Sequence, residues 1–190
     1  MPLRDRILET SLDLIASRGI AATSVQDIAD ACECAKASVL YHFSHKEQLI
    51  DEALRPALEA IGTLLGEAQK RGLHSLDAKF SFTEALVEIL IEHRRAIHLV
   101  ITHPYLVDSI PALEQAHTLM AGLAELVSDH TAGEHERMRF GIALAGVTYA
   151  LVSTELLGIG TLNEADLKIS LTQALQDIVL NQHPTSSSVA

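Results

Sequence analysis

The sequence predicts an all-α fold of about nine helices, with a three-helix unit at the N-terminus and a larger helical domain after it. Three observations carry this reading. No strand-like alternation of apolar and polar residues persists anywhere, aromatic residues make up only 4% of the 190 positions, and apolar side chains recur at steps of three and four over most of the chain.

The first helix is marked by Ile7, Leu8, Ser11, Leu12, Leu14 and Ile15 on one stripe, with Gly19 after Arg18 as a stop. Thr23 stands three before Gln26 and Ser44 three before Glu47, the spacing at which a hydroxyl caps a first turn and a longer side chain reaches back. Helices are therefore expected to start near Thr23 and near Lys46. Between them a break at Glu33 to Ala35 leaves a short helix, Lys36 to Phe43, with Val39, Leu40 and Phe43 expected to face inward.

The helix from Lys46 keeps Ile50, Leu54, Leu58, Ile61, Leu65 and Ala68 on one face until Gly72, with Pro56 inside it as a point of bending. Lys79 to Thr102 is apolar on nearly every side and reads as one enclosed helix. Pro111 to His130, Glu134 to Leu157 and Asn163 to Asn181 follow, and the tail 183–190 is expected to be disordered. Gly141, Ala143, Ala145, Gly146, Ala150 and Ser153 make the penultimate helix rich in small residues. With the last helix it is the expected homodimer interface.

A hydrophobic content of 48% is enough to bury a sizeable core. Fourteen Lys and Arg against 25 Asp and Glu give a net charge of −11, which excludes loose adhesion to polyanions and requires any nucleic-acid contact to be local and geometric. Cys32 and Cys34 are the only cysteines. Two positions apart, they would strain a disulfide, which points to a reducing compartment, the cytoplasm, and to small core residues rather than a redox pair. Asp5, Glu9 and Asp13 interrupt the apolar start, so no signal peptide is expected. Phe140 to Thr154 runs 15 residues without a charge, short of the roughly 18 a spanning helix needs, and no membrane association is expected.

A short helix joined by a tight turn to a capped helix has the dimensions of a helix-turn-helix that enters the DNA major groove. Lys36, Ser38, Tyr41 and His42 can donate to phosphates and base edges, and Ala37 permits close approach. Thr23, Ser24 and Lys46 lie at helix starts, where backbone N–H groups can hold phosphates.

The segment TSVQDIADACECAKASVLYHFSHKEQLIDEAL resembles the DNA-binding segment of TetR-family regulators, typically TxxxIAxxAGVSxGTLYxHFxSKExL, from Arg6 to about Leu54. Thr23, Ile28, Ala29, Ala31, Lys36, Tyr41, His42, Phe43, Lys46, Glu47 and Leu49 carry it. Glu33 replaces the usual turn glycine, Ala35 a serine, Ala37 a frequent glycine and Leu40 a frequent tyrosine. The resemblance implies a reader domain, residues 1–45, and an effector-binding and dimerising domain, residues 46–182. It implies a dimer bound to a palindromic double-stranded operator as a repressor and released by a small-molecule effector.

Residues 1–55 hold six Lys and Arg against nine Asp and Glu, a poor footprint for a DNA binder. The alternative is therefore a helical small-molecule-binding protein on the same scaffold that has lost specific DNA binding. Arg4, Arg6, Lys36 and Lys46, doubled in a dimer, are the cations expected to converge on the backbone and to make binding markedly sensitive to salt.

Arg94, His98, Thr102, His103, Tyr105 and His117 are polar insertions on the pocket helices and form the candidate effector site. A metal is not expected: the spacing of five between His93, His98 and His103 turns neighbours about 140° apart. No nucleophile elbow, phosphate loop or HExxH occurs, so neither enzymatic activity nor a cofactor is expected.

Overall fold

In this computed structural model the described residues are 1–102, 110–127, 133–153 and 163–180. They form nine helices: α1 (Leu3–Arg18), α2 (Val25–Ala31), α3 (Lys36–His42), α4 (Lys46–Arg71), α5 (Leu76–Glu92), α6 (Arg94–Thr102), α7 (Pro111–Val127), α8 (Gly133–Val152) and α9 (Glu164–Leu180). No strand occurs among the described residues. The expected disordered tail, 183–190, lies outside them.

Both capping signals operate one residue further on than the spacing suggested. The cap of α2 is Ser24, whose hydroxyl accepts from Asp27 N at 3.1 Å while the Asp27 carboxylate accepts from Ser24 N at 2.8 Å. Thr23 is not the cap because its side chain is turned inward, fully buried, with its hydroxyl donating to Gly19 O at 2.9 Å. At α4 the cap is His45, whose Nδ1 accepts from Gln48 N, and Ser44 N donates to the Gln48 side chain instead.

The stops are where the sequence places them. Gly19 and Gly72 take φ of +85° and +75°, a backbone region that costs glycine nothing, and each returns its N–H to the last turn of its helix.

α4 runs 26 residues through Pro56 and buries Leu49 to Ala68 along one face. The expected single helix Lys79–Thr102 is instead two. At His93, φ −105° and ψ 22° take the backbone out of the helical region, and this residue ends α5 as its carbonyl starts α6. The all-round apolar pattern arises because the two helices bury different faces: α5 packs on α4 and α9, α6 on α1 and α8.

Two cores result. A small one joins Ile7, Ile28, Ala29, Cys32, Val39, Phe43 and Leu49. The larger runs from Ile15 through α4, α5, α6, α7 and α8 to Leu175. Leu49 of α4 thus belongs to the N-terminal core and Ile15 of α1 to the larger one, so the two cores interlock across residue 45 through α1 and α4.

α7 is tied to α4 by Asp51, whose Oδ1 accepts from Ala112 N at 2.7 Å. α8 turns Phe140, Ala143, Leu144, Val147 and Leu151 inward. Met138, Gly141, Ile142, Ala145, Gly146 and Tyr149 stay exposed on its other face. α9 is capped by Asn163, which accepts from Asp166 N. Among the described residues no helix is long and apolar enough to cross a membrane.

Candidate nucleic-acid interface

The turn between α2 and α3 is closed by two backbone hydrogen bonds. Cys34 N donates to Ala29 O at 2.9 Å and Glu33 N to Asp30 O at 3.1 Å, the paired bonds of a Schellman motif. That motif needs a left-handed residue after the cap, and Glu33 fills it at φ +51°. Cys34 occupies the position whose side chain packs back on the helix, and it does so, half-buried against the small core. Burial, with the neighbouring Cys32 thiol next, holds its pKa above the ordinary thiol value, so the protonated form packs there.

The turn fixes the rotation of α3. Val39 is buried, Ser38 and His42 are half-buried, and Lys36, Ala37, Leu40 and Tyr41 are exposed. At about 100° per residue those four span an arc of about 140°, with Leu40 and Ala37 at its centre and Lys36 and Tyr41 on its flanks. Leu40 was expected to face inward; it is 41% exposed. Ser38 and His42 stand on the far side of the helix from this arc. The sequence carries the signal that places Leu40: it lies four residues from Lys36 and one from Tyr41, between them on a helical wheel.

The cations are differently engaged. Lys46 Nζ donates to Ile20 O at 2.8 Å and Thr23 O at 3.0 Å. Arg4 pairs with Glu52 and lies over the Phe43 ring, 5.4 Å from its centroid. Arg6 Nη2 donates to Cys32 O at 3.0 Å. Lys36 is exposed at the first position of α3. At the start of α2, where a phosphate was expected to dock, the Asp27 carboxylate already sits on Ser24. The Ser24 hydroxyl, the Ser24 amide and the Arg18 charge hold the Asp27 carboxyl below the ordinary carboxylate value.

The six residues read as an effector pocket are not gathered around one described cavity. A cleft of about 460 Å³ opens between α1, α4 and the junction of α5 and α6, over Leu8, Leu12, Ala53 and Pro56. Arg94 lines it, its Nη1 donating to Ile91 O. Its rim also carries Asp5, Glu9, Glu52 and Glu92. His98 is half-buried, and Thr102, which donates to His98 O, and His117 are exposed. His103 and Tyr105 lie outside the described residues. Among those described, no three His, Cys, Asp or Glu side chains are grouped so as to hold a metal ion.

Comparison with known proteins places these observations. Residues 7–53 match the model of the bacterial regulatory proteins of the tetR family. The HTH-type transcriptional repressor KstR2 of Mycolicibacterium smegmatis is 36% identical over 99 residues, 49% of this chain and 45% of that protein. The chain thus matches about half the length of its curated relatives. A TetR-family transcriptional regulator from Bordetella parapertussis shares the fold across 96% of this chain and 98% of its own, with a TM-score of 0.68 at 19% identity. The ketosteroid transcriptional regulator KstR2 of Mycobacterium tuberculosis does so over 93% and 92%, with a TM-score of 0.61 at 18% identity. Residues 7–53 thus resemble the helix-turn-helix segment of the tetR family of bacterial regulatory proteins, and the fold of the described residues is shared with solved TetR-family regulators.

Proposed function

We propose that the protein is a DNA-binding transcriptional repressor that acts as a homodimer and is released from its operator by a small molecule. The observation that carries this reading is the α2–turn–α3 unit. Its second helix roots Val39 in a core of its own and presents Lys36, Ala37, Leu40 and Tyr41 outward, on a helix short and exposed enough to enter a major groove. That the Mycolicibacterium smegmatis relative is a transcriptional repressor supports repression as the mode.

Dimerisation through α8 and α9 is supported by the exposed face of α8. Met138, Gly141, Ile142, Ala145, Gly146 and Tyr149 follow the three-four spacing of a helix seam, and a Cβ at Gly141 or Gly146 would meet nothing within 4 Å. Ile169 and Ala174 extend the exposed face on α9. Two such protomers set two reader helices at a fixed spacing, and the operator is then palindromic.

Release works through α4, which carries Leu49 in the reader core and Leu54 to Ala68 in the larger one. A small molecule that binds the larger domain with α4 displaced changes the reader spacing, and a 100-fold preference for that state supplies about 2.7 kcal/mol of coupling. Arg94, His98, Thr102, His103, Tyr105 and His117 remain the proposed contacts.

The test is fluorescence anisotropy with DNA from upstream of the gene, against unrelated duplex as competitor. Saturable binding that unrelated DNA does not displace is expected. Equal displacement by both favours the second reading, a small-molecule-binding protein without operator recognition. One observation favours that reading: Arg4, Arg6 and Lys46 each have a partner within the protein.

A further inference from the structure

The centre of the outward face of α3 is apolar. Leu40 and Ala37 occupy it, and the donors on the face, the Lys36 ammonium and the Tyr41 hydroxyl, stand on its flanks. No Arg, Asn or Gln lies anywhere in α3, and those are the side chains that bind guanine or adenine edges with two hydrogen bonds at once. Of the features a base pair shows in the major groove, the thymine C5-methyl alone is apolar. A side chain with no polar atom discriminates there by covering that methyl or by leaving a polar edge unpaired and dehydrated.

From this geometry we infer that Leu40, seconded by Ala37, is a specificity-determining residue that reads thymine methyl groups in each operator half-site. This rests on the proposed DNA-binding function and names what that site recognises. Lys36 and Tyr41 reach outward from the same arc and position the helix on phosphates or a neighbouring base edge. Their contacts are polar and therefore separable from the methyl reading. Ser38 and His42, half-buried on the other side of α3, take no part in it.

The experiment selects bound sequences from a random duplex pool with the full-length protein, then replaces each half-site thymine by deoxyuridine. That exchange removes the methyl and keeps the base pair. Removing one covered methyl is expected to weaken binding about fourfold, and about sixteenfold when both half-sites carry it. In Leu40→Ala the same exchange is expected to cost markedly less, because most of the atoms that covered the methyl are gone and only Ala37 still meets it. Leu40 lies outside both cores, and an unchanged circular dichroism spectrum checks that the variant folds.

Selected half-sites whose thymines all tolerate uracil in the wild-type protein overturn the inference and leave DNA binding standing. So does a uracil penalty that persists in full in Leu40→Ala. Failure to enrich any sequence overturns the inference together with the proposed function.

Discussion

The ammonium of Lys46 lies 3.0 Å from the carbonyl oxygen of Thr23 and 2.8 Å from that of Ile20, tying the first residue of α4 to the loop between α1 and α2. The residue read from sequence as a phosphate contact therefore joins the reader to the helix that carries the larger domain. Charge-assisted bonds to carbonyls that water replaces poorly are worth about 1.5–3 kcal/mol. Lys46→Met is expected to lower the free energy of unfolding in urea by about 2 kcal/mol. An unchanged midpoint would show that solvent replaces both bonds.

Engagement of the cations also sets the salt response of DNA binding. If Arg4, Arg6, Lys36 and Lys46 all reached phosphates in both protomers, the log–log slope of affinity against salt would approach about −7. Because Arg4, Arg6 and Lys46 have partners within the protein, a slope between about −2 and −4 is expected. A steeper slope would mean that these pairs open on the DNA.

Asp51 holds α4 to α7 through the Ala112 amide at 2.7 Å and to Arg55 at 2.9 Å. Asp51→Ala leaves a part-buried helix-start N–H without its acceptor, and a loss of about 1–2 kcal/mol is expected. Asp51→Asn keeps an acceptor oxygen and should recover part of it. Chemical denaturation of both variants measures the difference.

Glu33 holds a left-handed conformation, φ +51°, at a cost of about 1 kcal/mol for a residue with a Cβ. Glu33→Gly relieves it and is expected to raise the melting temperature by about 2–4 °C, whereas Glu33→Ala should not. The same change removes a carboxylate from the turn leading into α3, so operator affinity is expected to rise as well.

The Asp27 carboxyl is held below its ordinary pKa first by the Ser24 hydroxyl, then by the Ser24 amide, with a smaller contribution from Arg18. Its charged form is favoured in the folded state. The cap therefore contributes stability above the ordinary carboxylate value and loses it as pH falls through the lowered one. Ser24→Ala is expected to flatten the acid limb of stability against pH and to return the Asp27 pKa, read by NMR, toward its ordinary value. An unmoved pKa would assign the shift to the residue-24 amide and Arg18, which the substitution leaves in place.

Much of this protein is local and was legible in the chain. The all-α class, the stops at Gly19 and Gly72 and the short helix between two capped ones all follow from periodicity and backbone chemistry within a few residues. Helix rotation, cap identity and the engagement of charges do not, because they depend on what packs from elsewhere. Thr23 yields the cap to Ser24 because its hydroxyl is drawn back to Gly19. Lys79–Thr102 divides at His93 because α5 and α6 face different neighbours. Leu40 turns outward because Val39 already fills the core side of α3, and the cations meant for phosphates are taken by Glu52, Cys32 and Thr23 across 20 or more residues of chain. The sequence by itself determined that a helix-turn-helix is present. Only the tertiary structure decided which of its residues remain free to meet DNA, since a side chain's availability depends on every partner the fold brings within its reach.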